Sequence, residues 1–184
     1  MPPARIYLAG PECFLPDAVD IYAAKIAMCR EFGFIGVSPF DAEANGLQAD
    51  LSPQQTARKI YGANIALMQS CDVGIFNLTP FRGPSADVGT AFELGFMTAL
   101  GKPGYAYTHA SGDYVSRIEP RHHNQSGWFD ENGWLIEIFG GSDNLMLDGA
   151  VEATGRRILR RDEIELGGLS TFGQCLAKVR LAPG

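Results

Sequence analysis

The chain has 184 residues, 46% of them apolar, and a formal net charge of -6 at pH 7. That length supports one domain with a proper core, and an acidic chain with scattered Lys and Arg does not suit a nucleic-acid polymer. No apolar run approaches the ~20 residues of a membrane span, and because the N-terminal residues lead straight into a strand-like run, no signal peptide is expected.

Four widely spaced cysteines, Cys13, Cys29, Cys71 and Cys175, contain no CxxC pair. A zinc site is not indicated, and reduced thiols in a cytoplasmic protein are expected. His109, His122 and His123 fall in a polar region and read as surface histidines.

Arg5 to Ala9 is a run of strand formers that stops at Gly10-Pro11. The loop Gly10 to Asp17 follows. It matches neither GxGxxG nor a Walker A loop. Asp17 caps a predicted helix to about Phe32, and Gly33 ends it. Phe34 to Val37 is a second strand. Asp41 to Leu51 is polar, with Asn45-Gly46 as a turn. Ser52-Pro53 opens a helix that runs through Ile60, Tyr61, Asn64, Ile65 and Met68 to about Ser70. Asp72 precedes a third strand, Val73 to Leu78, and Thr79 to Pro84 form its loop.

Next comes Ser85 to Leu100. From Val88 onward its only charged residue is Glu93, with Phe92, Phe96, Ala99 and Leu100 at helical spacing and Ala91, Leu94 and Met97 on other faces. A helix apolar nearly all round is expected to be buried. Glu93 is then a carboxylate in surroundings that normally reject one. Gly89, one turn earlier, leaves room beside it. The bland alternative is an ion pair or a helix-dipole role.

Gly101-Lys102-Pro103 stops this helix, and Gly104 to Tyr107 is a fourth strand. Residues 109–133 are polar and turn-rich, and their length points to function or a subunit contact. Trp134 to Phe139 reads as a short strand or a packed loop. Asn144 starts another apolar helix through Val151, and Phe172 to Val179 has a helical pattern. Strands alternating with helices argue for a parallel sheet with right-handed crossovers in a single domain over 1–184.

Asp72, Asp87 and Glu93 surround one predicted corner. Carboxylates flanking a sugar are how glycosidic bonds are cleaved, one as nucleophile and another as proton donor. A Glu with a small residue above it suits the nucleophile. Asp72 suits the donor, although a turn or cap role fits its spacing equally well.

Ile6 to Pro11, Cys71-Asp72, the run Asp87-Val88-Gly89-Thr90-Ala91-Phe92-Glu93-Leu94-Gly95 and Gly101-Lys102-Pro103 together resemble the nucleoside 2-deoxyribosyltransferase family. Asn144 to Leu147 resembles a later motif of the same family. The resemblance implies a flavodoxin-like, Rossmann-like α/β fold with a parallel sheet between helices. It implies double displacement: Glu93 attacks C1′ of a 2′-deoxynucleoside, and a free nucleobase captures the deoxyribosyl-enzyme.

By the same resemblance Asp72 and Asp87 bind the base and move its proton, and Tyr7 orients the nucleophile. Gly10 and Phe14 line the base pocket. Asn144 and Met146 reach into a neighbouring subunit's site, so a homo-oligomer with shared sites is expected. No metal or organic cofactor is called for. Residue by residue, core or capping roles compete for Tyr7, Phe14, Asn144 and Met146.

Two rival readings stand. One is a nucleoside or nucleoside 5′-monophosphate N-glycosidase; Glu12, an acid where a phosphate would sit, argues against the phosphate, while Ser85 and Arg82 are able to hold one. The other is a non-catalytic nucleotide-sensing module.

Overall fold

The computed structural model describes residues 2–41, 51–161 and 167–182. Its centre is β1 (Arg5–Ala9), where Ile6 to Ala9 are all buried. Continuous burial is what a central parallel strand requires. β3 (Val73–Asn77) and β4 (Gly104–Thr108) are buried throughout for the same reason.

With β2 (Ile35–Val37) and the two-residue β7 (Leu159–Arg160), these strands form one sheet in the order β2-β1-β3-β4-β7. All four pairings are parallel. This is the doubly wound flavodoxin-like order, with its switch point between β1 and β3. The loops after those two strands therefore flank the crevice where such sheets bind ligands.

Alternation along β1 splits the core into two layers. Ile6 and Leu8 pack with Ile75, Tyr105 and Tyr107 against α1 (Ala18–Glu31) and α5 (Leu169–Leu181), through Tyr22, Cys29, Phe172 and Leu176. Tyr7 and Ala9 face the other way with Phe76 and Ala106. That layer is closed by α2 (Pro53–Ser70), α3 (Val88–Ala99) and α4 (Leu145–Glu152), through Met68, Leu94, Met97 and Val151. Tyr7 thus points towards the helix that carries Glu93.

The predicted helices and the first four strands lie where the sequence put them to within a few residues. Ser52 caps α2 in a reciprocal box with Gln55. Lys102 Nζ closes its other end by donating to the carbonyls of Met68 (2.9 Å), Gln69 (2.5 Å) and Cys71 (2.5 Å). Most of the Asp41 to Leu51 loop lies outside the described residues.

Three expectations change. α3 is not buried all round: Thr90, Leu94 and Met97 face the core, but Val88 is 84% and Phe92 49% exposed. The sheet and α4 cover one side only, and an apolar outer face is left open.

Residues 109–133, read from the sequence only as polar and turn-rich, hold regular structure. They contain an antiparallel hairpin of β5 (Arg121–Asn124) and β6 (Gly127–Asp130), with His122 stacked on Phe129 and His123 against Trp128. Cross-strand ring pairs hold this short polar ribbon, so apolar alternation does not announce it. Trp134 to Phe139 is bridged to the hairpin at Leu135 and Phe129, and the Trp134 N–H donates to Asp130 Oδ1 (2.9 Å), while Trp134, Leu135 and Phe139 remain exposed. No described helix is long and apolar enough to cross a membrane.

Candidate active site

Tyr7 and Glu93 meet across the sheet-helix boundary. The Tyr7 hydroxyl donates to Glu93 Oε1 at 2.6 Å. Tyr7 is fully buried in β1, so its ring reaches α3 from a fixed base. Burial, then the negative charge of Glu93, raises the Tyr7 pKa well above that of an ordinary phenol. The hydroxyl therefore stays protonated and acts as a donor.

Glu93 is only partly buried. Burial raises its pKa from 4.5 to about 7; the Tyr7 hydrogen bond opposes that shift, and the charge of Asp87 adds to it. A carboxylate with one strong donor and incomplete solvation ionises near neutrality and keeps lone pairs for another partner.

Asp87 is the N-cap of α3. Its Oδ2 accepts from the Thr90 backbone N–H (2.9 Å) and hydroxyl (3.1 Å). Capping fixes the helix that carries Glu93 and sets a second carboxylate near it. Gly89 is exposed just beyond, and a Cβ there would come 3.0 Å from Asp87 Oδ2. A side chain there would crowd the Asp87 carboxylate.

The loop ahead of α3 is tied down. Asp143 accepts from the Ser85 hydroxyl and from the Ala86 N–H (2.9 Å), with Arg117 3.6 Å away. Arg117 also donates to the carbonyls of Pro84 (2.8 Å) and Ser142 (2.5 Å). Asn144, the next residue, N-caps α4 by accepting from Met146 N–H (3.0 Å) and donates to Glu137 (2.9 Å). Met146 is 69% exposed. Both are near a helix that packs on α3, but within one chain their side chains serve a cap and the surface.

Gly10 is buried at the end of β1, beside Asn77 at the end of β3. Phe14 is more than half exposed and stacks on Phe81, centroids 5.0 Å apart and planes at 13°. The Arg82 guanidinium lies over both rings. Two strand-end loops thus share one aromatic shelf at the switch point.

The structure does not bring Asp72 to this corner. It is exposed, precedes β3, and accepts the backbone N–H of Arg5 (2.8 Å) at the start of β1. Six residues of extended chain, about 20 Å, separate it from Leu78 at the opposite edge of the sheet. Glu12 is also placed differently from the sequence expectation. It is fully buried and paired with Lys25, so this acid does not face the loop where an anion would sit.

Asn64 is the residue that sequence reasoning passed over. Its Oδ1 is buried and has no hydrogen-bond partner among the described residues. Asn64 lies one turn from Tyr61, whose ring meets Phe92, and one turn from Met68, which shares a cluster with Tyr7. A polar residue within the apolar stripe of α2 was the available signal.

Comparison with known proteins bears on the family and the fold. The family described as nucleoside 2-deoxyribosyltransferase matches residues 6–146. An uncharacterised protein of Schizosaccharomyces pombe is 32% identical over 167 residues, spanning 82% of this chain and 78% of that protein. A 2-deoxyribosyltransferase from Leishmania mexicana superposes with a TM-score of 0.67 at 29% identity, over 94% of this chain and 98% of that one. A conserved protein of Enterococcus faecalis V583 shares the fold at 18% identity, with a TM-score of 0.58 over 96% of this chain and 99% of that one.

Proposed function

This chain belongs to the nucleoside 2-deoxyribosyltransferase family, and from that premise we propose that it transfers the 2-deoxyribosyl group between nucleobases by double displacement at Glu93. The observation that carries this reading is the 2.6 Å bond from the Tyr7 hydroxyl to Glu93 Oε1. It aims a carboxylate that titrates near neutrality and whose other oxygen has no hydrogen bond among the described residues.

A Glu93 oxygen attacks C1′, and the C1′–N bond breaks with its electron pair leaving on the base. Asp87 is the acid closest in the chain to supply or receive the base proton. Asn64 offers its unpartnered Oδ1 to a base N–H. A nitrogen of the second base then attacks C1′, the C1′–O bond breaks, and Glu93 is regenerated. Two inversions give net retention. If water arrives instead of a base, the same intermediate is hydrolysed.

Gly10 and Phe14 hold the base side, and Gly89 leaves space for the sugar. Asp72 has no part in this scheme. The open apolar faces of α3 and of the 134–146 segment, with Val88, Trp134, Phe139 and Met146 exposed, support a homo-oligomer in which Asn144 and Met146 complete a neighbour's site.

The test is incubation with 2′-deoxyinosine and adenine, followed by chromatography. The expected product is 2′-deoxyadenosine. Absence of both exchange and free base across several deoxynucleosides contradicts the enzyme reading.

One observation favours a second reading, a nucleoside 5′-monophosphate N-glycosidase. Glu12 turns inward, and the exposed Arg82, held at a φ of 55°, sits at the aromatic shelf. Release of base from 2′-deoxyinosine 5′-monophosphate in preference to the nucleoside, without exchange, would select it.

A further inference from the structure

A second carboxylate at the same sheet edge is treated in the opposite way. Glu12, in the 3-10 turn Pro11–Phe14, has no exposed surface. One of its oxygens accepts from Lys25 Nζ and the other from Asn77 Nδ2 (2.8 Å). Lys25 is 2% exposed and also donates to the Tyr107 hydroxyl (2.9 Å). The rings of Tyr22, Tyr107 and Phe172 surround its ammonium at 5.2–5.6 Å. Cation–π attraction in a desolvated pocket adds to the pairing.

The network continues outward to the loops. Asn77 Oδ1 accepts from the Thr79 N–H (3.1 Å) and hydroxyl (2.5 Å). Thr79 Oγ1 accepts from the His109 N–H (3.0 Å). The ends of β1, β3 and β4 are thereby linked through one ion pair. Gly10 closes over it, since a Cβ there would fall 2.7 Å from that of Asn77.

Stability alone does not call for charge here. An apolar pair of similar volume commonly serves as well or better. What a charged, directional network supplies is a single arrangement of the groups it bonds.

We propose that Lys25 and Glu12 are positioning residues for nucleobase binding: through Asn77 and Thr79 they fix the loops after β1 and β3, and they act on base affinity rather than on chemistry at Glu93. This rests on reading the corner as a nucleoside site. The pair touches no substrate. Its effect passes through the Gly10–Phe14 turn and the Thr79–Arg82 segment that carries Phe81.

The test is a full-length double variant, Glu12→Leu with Lys25→Met, which removes both charges together and leaves neither unpaired. Adenine and cytosine are titrated by calorimetry into the double variant and the parent. The base that binds the parent should bind the variant at least about tenfold more weakly. Decay in water of a deoxyribosyl-enzyme formed at saturating donor should stay within about twofold of the parental rate. A general structural defect would instead lower the active fraction and leave base affinity unchanged.

Unchanged base affinity in the folded variant overturns the proposal, and so does an equal loss in both measurements. If the double variant does not fold, Glu12→Gln replaces it. The expected result is then a raised KM for the acceptor base at constant kcat, and an unchanged KM overturns the proposal. A parent that binds base but forms no intermediate rejects the transferase reading, while the titration still decides the positioning role. A parent that binds neither base overturns both.

Discussion

Glu93 and Glu12 lie at the same edge of one sheet, and the fold handles them oppositely. Among the described residues Glu93 has one donor, the Tyr7 hydroxyl, and it is only partly buried. Glu12 has a partner for each oxygen and no solvent contact. Both environments are poor in water; what differs is saturation. A carboxylate with a full set of partners is held in place, whereas one with a single partner and open space beside it can react. Burial by itself separates structural acids from reactive ones poorly.

The largest effect should come from removing the under-saturated acid. Glu93→Ala is expected to lower nucleobase exchange by about ten-thousand-fold or more while the protein stays folded, as measured by chromatography and circular dichroism. Full exchange in that variant would erase the contrast between the two acids.

Removing the partner of the saturated acid should act on stability. Burial pushes the Lys25 ammonium down from its ordinary pKa, and an anionic Glu12 in contact favours the charged form. Lys25→Met alone leaves Glu12 buried without its cation. A loss of about 3–5 kcal/mol in denaturant unfolding is expected. A loss below about 1 kcal/mol would mean that Asn77 alone satisfies Glu12.

Tyr7→Phe tests what one donor does. It should lower exchange at pH 7 by roughly 10- to 100-fold. The hydrogen bond holds the Glu93 pKa down, so the variant's acid limb should shift to higher pH. In the parent the rate should climb with pH through about 7 as Glu93 ionises. A limb that does not move would place the hydroxyl outside the ionisation of Glu93.

The smallest effect is on stability. Glu93 has a pKa of about 7 in the folded chain and 4.5 ordinarily, so the folded state binds the proton more tightly. Its contribution is fully present below pH 4.5 and is lost as pH rises through 7. Glu93→Gln removes that loss. It should stabilise the protein by about 1–2 kcal/mol at pH 8 and by much less at pH 4.5, read from thermal melts at both values.

Much of this contrast was open to sequence reading, for physical reasons. The buried strands and amphipathic helices have strong periodicities, so β1, β3, β4 and α2 to α4 were legible. Glu93 stood out as a lone charge, whereas Tyr7 was singled out only through the family resemblance. The two-residue β7 and the polar hairpin carry almost no periodic signal, because their partners are remote or are held by ring pairs.

Asp72 was misplaced although the sequence contained the correction. A residue that precedes a parallel strand lies at the edge opposite to one that follows it, and only the following edge builds the site. Glu12 and Lys25 were unreadable as a pair. They sit on a loop and on a helix, and an acid after a strand gives no sign of turning inward. Helix α3 misled in its extent of burial, since an apolar outer face has the same composition as a core face.

Trapping the intermediate tests the central claim most directly. The protein is mixed with 2′-deoxyinosine without acceptor base, quenched in acid and digested, and its peptides are weighed by mass spectrometry. The account predicts one anhydro-2-deoxyribosyl unit on Glu93 and none on Glu12. Release of hypoxanthine without any adduct on Glu93, or with the adduct on another residue, would contradict it.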